Sequence, residues 1–201
     1  MVDVVPKLIY WLPAYGATLA QGVGQTLVRA GVDVAGRETR GAFHALAFEQ
    51  QVEVVKNDLL HHAWRRDGCV IAQGYGAYLF LHVQLHLLAF PGRLLLISPL
   101  MGCLPHEVES LSYRLPPQPS EILERASAGA FAFGERCTWL VGEHDRTAPV
   151  EYVRRLADQV RQEPEVIKGE GHTINANWLD WRVSQWLAEQ GVSLADDHAD
   201  G

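Results

Sequence analysis

The chain has 201 residues, of which 48% are hydrophobic, and it carries a formal net charge of −7 with a pI near 5.7. The negative charge argues against a nucleic-acid-binding surface. No apolar run reaches the length of a membrane span, and no N-terminal segment has the pattern of a secretory signal. We therefore expect a cytoplasmic protein with a single domain over 1–201 and a flexible, acidic tail over 191–201.

Apolar strands and amphipathic helices alternate along the first part of the chain. A buried strand begins near Leu8 and breaks into a turn at Pro13 and Ala14. The next predicted elements are a helix over 18–30, a short strand over 32–35 and an amphipathic helix over 48–66. This alternation is typical of an α/β fold with a parallel sheet and helices on both faces.

The segment 69–78, with the sequence CVIAQGYGAY, runs from an apolar strand through a turn of small residues into a helix that extends to about 88. This layout is typical of a nucleophile elbow. In its G-x-S-x-G pattern, a serine projects its oxygen above the sheet, and the next backbone N–H helps to bind an oxyanion. Here the centre of the turn reads AQGYG, so Gly74 occupies the serine position and the nucleophile is missing.

A further strand is predicted over 93–98, and it ends at Ser98. We expect this serine to have a structural role rather than a nucleophilic one. The proline-rich stretch that follows leads into a helix over 120–130, and a last helix is predicted over 177–190.

Two later segments place a polar residue after a strand. The first, WLVGEHDRTAP, contains Asp145 in a G-x-x-D-x-x-x-P turn, and the second, VIKGEGHT, runs into the glycine-flanked His172. A histidine on such a loop can reach over the elbow and exchange a proton near neutral pH, while a buried carboxylate on its other nitrogen would fix its tautomer. As an alternative, Asp145 caps the helix that begins near Pro149, and His172 is a surface histidine.

The chain order of elbow, acid and histidine is that of α/β-hydrolases, and the chain resembles this superfamily over nearly its whole length. The resemblance implies an α/β-hydrolase fold with a mostly parallel central sheet. It also implies that Asp145 is the triad acid, that His172 is the general base and that Gly74 stands at the nucleophile position. The backbone N–H groups of Tyr15 and Tyr75 would form the oxyanion hole, with Pro13-Ala14 in place of the family's His-Gly pair.

In this family lids are commonly inserted after the strand that ends near residue 98, so the resemblance implies a minimal lid over 102–133. A plain connecting loop and helix is the alternative. We expect no cofactor and no metal, because His82 and His86, four residues apart on a helix, lack an H-E-x-x-H pattern and a third ligand. The expected partner is a small acyl substrate or ligand, without nucleic acid, and the sequence leaves the oligomeric state open.

The resemblance implies an esterase, thioesterase or amidase that acts on a small acyl substrate. Because the nucleophile is absent at Gly74, we predict that the chain is inactive or strongly impaired as a serine hydrolase. One alternative is a noncatalytic protein that binds a ligand or a partner on the same fold. The other is general-base chemistry by His172 and Asp145 without a covalent intermediate.

Overall fold

The computed structural model describes residues 8–100, 121–129, 133–134 and 136–192 of the chain. Most of the predicted lid at 102–133 and of the predicted tail at 191–201 lies outside these residues. No helix in the described ranges is both long enough and apolar enough to cross a bilayer. The elements in chain order are β1 (Leu8–Leu12), α1 (Val23–Arg29), β2 (Asp33–Gly36), α2 (Gly41–His44), α3 (Phe48–His62), β3 (Cys69–Gln73), α4 (Tyr75–Gln84), β4 (Arg93–Ile97), α5 (Glu121–Ser127), β5 (Cys137–Gly142), α6 (Val150–Gln159), β6 (Glu165–Ile167) and α7 (Ala176–Glu189).

The six strands form one sheet in the order β2-β1-β3-β4-β5-β6, and all of the described pairings are parallel. Their carboxyl ends therefore lie along one edge. The chain runs from β1 outward to β2 and returns to β3 on the other side of β1, so the strand order reverses between β1 and β3. In open α/β sheets, ligands bind at the carboxyl ends of the strands at such a reversal.

Alternate strand residues face two separate hydrophobic cores, as the two-residue period of a β-strand requires. On β1, Tyr10 and Leu12 pack in the core under α3 to α6, whereas Ile9 and Trp11 pack in the core under α1 and α7. Both faces of the sheet are thus covered by helices. This arrangement confirms the α/β fold class that the apolar strands of the sequence predicted.

Several helices differ in length from the sequence prediction. The first begins at Val23 instead of residue 18, because Gly22 has a φ of 54°, outside the helical region. The third ends at His62 instead of residue 66, where Ala63 leaves the helix with a φ of −137°. The fourth ends at Gln84, before residue 88. The four-residue α2 was not predicted, because one turn carries no helical period.

Cys69 on β3 is a thiol that is buried in the core and is therefore expected to be unreactive. Its side chain is buried, and this burial raises the pKa of the thiol to about 12, although Arg93 lowers it slightly. Because the thiolate is the reactive form, we expect Cys69 to resist alkylation by iodoacetamide at pH 8 in the folded protein. Peptide mass spectrometry measures the labelling, with the urea-unfolded chain as the positive control. Rapid labelling of Cys69 in the folded state would contradict the prediction.

Candidate functional site

Gly74 connects β3 to α4 in a backbone conformation that few side chains tolerate. Its φ is 52° and its ψ is −113°. Its N–H donates to the carbonyl of Ile97 at 2.9 Å, and its own carbonyl accepts from the N–H groups of Tyr78 at 3.1 Å and Leu100 at 3.3 Å. Both backbone groups are therefore held in place. A residue with a Cβ would be strained here by about 1–3 kcal/mol, as is common at functional turns.

The space around Gly74 is open enough for a side chain. An ideal Cβ on this residue would lie 3.4 Å from the Cβ of Ala14 and 3.8 Å from Nε2 of His172. The first contact is tight, and the second is an ordinary van der Waals distance. A hydroxyl one bond further out would therefore be within reach of the imidazole.

Gly76, two residues further along, permits the close packing of α4 against the end of β1. A Cβ at this position would lie 2.3 Å from the carbonyl oxygen of Leu12 and 2.5 Å from that of Pro13. Both distances are shorter than any real contact of a Cβ. The two glycines of the turn thus have different roles, since a Cβ on Gly74 would make van der Waals contacts and a Cβ on Gly76 would overlap with backbone atoms.

His172 and Asp145 form a hydrogen-bonded pair, with 2.9 Å between Nδ1 and Oδ2. The side chain of Asp145 is completely buried, and its Oδ1 accepts hydrogen bonds from the N–H groups of Thr147 at 2.8 Å and Ala148 at 2.7 Å. An ionised carboxylate only accepts hydrogen bonds, so Nδ1 of His172 carries the proton. In the neutral ring, Nε2 is then left with a lone pair on the side of Gly74.

The loops that carry Asp145 and His172 are fastened to each other. The N–H of His144 donates to the carbonyl of Glu170 at 2.8 Å. Gly142 permits this approach, because a Cβ on it would lie 2.2 Å from the carbonyl oxygen of Gly171. The pair is thus held by backbone contacts as well as by its own hydrogen bond.

The two predicted oxyanion donors lie on different elements at the same edge of the sheet. Tyr75 is the first residue of α4, so its N–H has no acceptor within the helix. Tyr15 lies in the loop after β1, which Thr39 fastens from both sides. The Thr39 hydroxyl donates to the carbonyl of Ala14, and the Thr39 carbonyl accepts from the N–H of Gly16 at 3.0 Å.

The side chains of Tyr15 and Tyr75 form an aromatic wall beside these backbone groups. Their rings meet edge to face, with 5.7 Å between centroids. The hydroxyl of Tyr15 lies 2.6 Å from Nε2 of His44, and that of Tyr75 donates to Gln51 at 3.1 Å. Burial, with a smaller contribution from Tyr15, raises the pKa of Tyr75 to about 12, so its phenol stays protonated.

Sequence reasoning missed three residues that support this region, namely Thr39, His44 and Gln51. Thr39 and His44 follow an edge strand and lie far along the chain from the residues they contact. Gln51 lies on a helix whose apolar pattern gave no reason to single it out. No local signal identifies such contacts, because they depend on the pairing of β1 with β2 and on the packing of α3 against α4.

We expect Thr39→Val to loosen the loop that carries Tyr15. The substitution keeps the shape of the side chain and removes one hydrogen bond, which should cost about 1 kcal/mol of unfolding free energy. It should also speed amide hydrogen exchange at Gly16. The same substitution at the buried Thr26, whose hydroxyl bonds Asp180, serves as a control that leaves Gly16 unchanged. Unaltered exchange at Gly16 in Thr39→Val would rule out the anchoring role.

Other residues singled out in the sequence contribute little to this arrangement. Ser98 is buried with a φ of 41°, and its hydroxyl bonds no group in the described part of the chain. It therefore makes no hydrogen bond to His172. Burial lowers the pKa of His82 to about 4. The described residues contain no cluster of three His, Cys, Asp or Glu side chains suited to a metal ion.

No protein-family model and no curated protein matches the chain. Solved structures do match over most of its length. Monoacylglycerol lipase from Paleococcus ferrophilus is similar with a TM-score of 0.64 at 15% identity, covering 92% of this chain and 96% of the lipase. The ydeN gene product of B. subtilis is similar with a TM-score of 0.62 at 14% identity, and the match covers 93% of this chain and 100% of that protein.

A third similar structure is Est1E from Butyrivibrio proteoclasticus with bound ferulic acid. Its TM-score is 0.61 at 12% identity, and the match covers 92% of this chain and 90% of Est1E. These neighbours share the α/β-hydrolase fold, and the parallel six-stranded sheet described above agrees with that fold. The chain therefore has the α/β-hydrolase fold.

Proposed function

We propose that the chain binds a small acyl compound at Gly74 and forms no acyl-enzyme, because this position has no hydroxyl. The main observation behind this proposal is that a Cβ on Gly74 would lie 3.8 Å from Nε2 of His172, while Nδ1 of the same ring is hydrogen-bonded to Asp145 at 2.9 Å. Serine at this point would complete a Ser-His-Asp arrangement. In this proposal His172 is the general base, Asp145 its orienting acid, and the N–H groups of Tyr15 and Tyr75 the oxyanion donors.

The ligand class follows from the setting of the site and from the similar structures. The site lies at the reversal of strand order, where α/β sheets bind small molecules. One similar protein is a monoacylglycerol lipase, and Est1E contains ferulic acid. These neighbours support an acyl or carboxylic-acid ligand and a site of the esterase, thioesterase or amidase type. The buried thiol of Cys69 suits a reducing compartment, which supports a cytoplasmic location.

Hydrolysis of p-nitrophenyl acetate by the chain and by Gly74→Ser tests the proposal. The proposal requires that the parent is inactive and that Gly74→Ser is active. This activity must disappear when His172 is also replaced by alanine. An inactive but folded Gly74→Ser variant would contradict it.

A second candidate function is general-base chemistry without a covalent intermediate. The observation that favours it is the lone pair on Nε2 of His172, which faces a residue without a side chain. This nitrogen is placed to take a proton from a water or from an acidic ligand. Turnover by the parent that His172→Ala abolishes would favour this function over the first.

A further inference from the structure

We infer that the Gly74 site selects a carboxylate over a neutral acyl compound and takes up one proton on His172 when it binds. The inference rests on the proposed function in using the same site, but it concerns the parent chain rather than an activated variant. It names the ligand as a free carboxylic acid in its ionised form.

The charge pattern of the site favours an anion. Asp145 is completely buried, and its negative charge stabilises the protonated form of the His172 ring to which it is bonded. With both nitrogens protonated, Nε2 becomes a charged donor on the side of Gly74. The N–H of Tyr75, which follows Gly74 at the positive end of α4, is a second donor. A carboxylate has two acceptor oxygens for such a pair.

The absence of a side chain at Gly74 decides which acyl compound binds most tightly. A serine hydroxymethyl group would occupy the volume between Ala14 and His172, and glycine leaves this volume to the ligand. A carboxylate group can then bond the imidazolium directly. Charge-assisted hydrogen bonds are roughly twice as strong as neutral ones, so an ester or amide carbonyl gains less from the same donors.

We assign the proton taken up on binding to His172, because its Nε2 is the ring nitrogen on the side of Gly74. Asp145 is bonded to the ring itself and to two backbone N–H groups. The remaining titratable side chains around the site have partners of their own, and these are Glu143, His144, Glu170, Tyr15, His44 and Tyr75.

Binding of acetate, hexanoate and benzoate, each compared with its neutral amide, tests the inference. The readout is the NMR signal of the His172 ring, identified by its loss in His172→Ala, together with calorimetry in two buffers of different ionisation enthalpy. At least one carboxylate should bind tenfold or more tightly than its amide, with uptake of one proton. Its affinity should fall as the pH rises, because binding is linked to the uptake of a proton.

Two variants sharpen the test. His172→Ala should abolish the preference for the carboxylate, whereas His144→Ala, which changes an exposed histidine on the neighbouring loop, should keep it. Gly74→Ser should weaken carboxylate binding at least tenfold, since its side chain fills the volume. Equal binding of acid and amide, or binding without proton uptake, would overturn the inference. That result would leave an esterase activity of Gly74→Ser untouched, so the two proposals fail separately.

Discussion

Gly74→Ser is expected to hydrolyse p-nitrophenyl acetate at least about 10³-fold faster than the parent chain. The nucleophile of a serine protease is worth about 10⁶-fold in turnover, and a site that has not been optimised for it should recover part of that. A Cβ at position 74 would lie 3.8 Å from Nε2 of His172, so the serine hydroxyl can hydrogen-bond the base. Steady-state release of p-nitrophenolate gives the rate.

Gly74→Ala is the matched control for this experiment. It adds the same Cβ at a φ of 52° but no hydroxyl, so it should share the loss of about 1–3 kcal/mol in unfolding free energy and gain no activity. Adding His172→Ala to Gly74→Ser should return the rate to that of the parent. Equal rates for the serine and alanine variants would show that the hydroxyl is not the nucleophile.

Asp145→Asn is expected to lower the turnover of Gly74→Ser to about that of the parent chain, a loss of about 10³-fold, and the equivalent change in a fully evolved serine protease costs about 10⁴-fold. The asparagine oxygen would still accept from Thr147 and Ala148, which places its NH₂ group against His172. The ring would then carry its proton on Nε2 and could not accept the proton of the serine. The measurement is again ester hydrolysis, under the same conditions as for Gly74→Ser.

Asp158→Asn, the same chemical change at an exposed position on α6, controls for the loss of one negative charge. Its turnover in the Gly74→Ser background should match that of Gly74→Ser alone. If the turnover of the Asp145→Asn variant stays within tenfold of that of Gly74→Ser alone, His172 and Asp145 do not act as base and acid. The assignment of these two residues then fails.

The candidate site was predictable to the extent that it consists of local motifs. The turn around Gly74 and the loops of Asp145 and His172 each follow an apolar strand, and parallel strands bring their carboxyl ends to one edge. The structure does bring these three residues together. Their catalytic roles remain predictions that the two substitutions above test.

Contacts between distant segments were not predictable in this way. The loop of Tyr15 is held by Thr39 and His44, and neither residue belongs to a motif. Whether a Cβ on Gly74 or on Gly76 would fit or would overlap with backbone atoms also depends on how closely α4 approaches β1. The two glycines look alike in the sequence, yet only one of them leaves room for a side chain.

By itself, the sequence determined the alternation of strands and helices, the elbow with glycine at its centre, and the order of acid and histidine along the chain. These features follow from apolar periodicity and turn chemistry, which act over a few residues. Only the tertiary structure decided the strand order, the helix ends at Val23, His62 and Gln84, and the facing of Gly74 and His172. Such features depend on packing between segments far apart in the chain, which local sequence patterns do not predict.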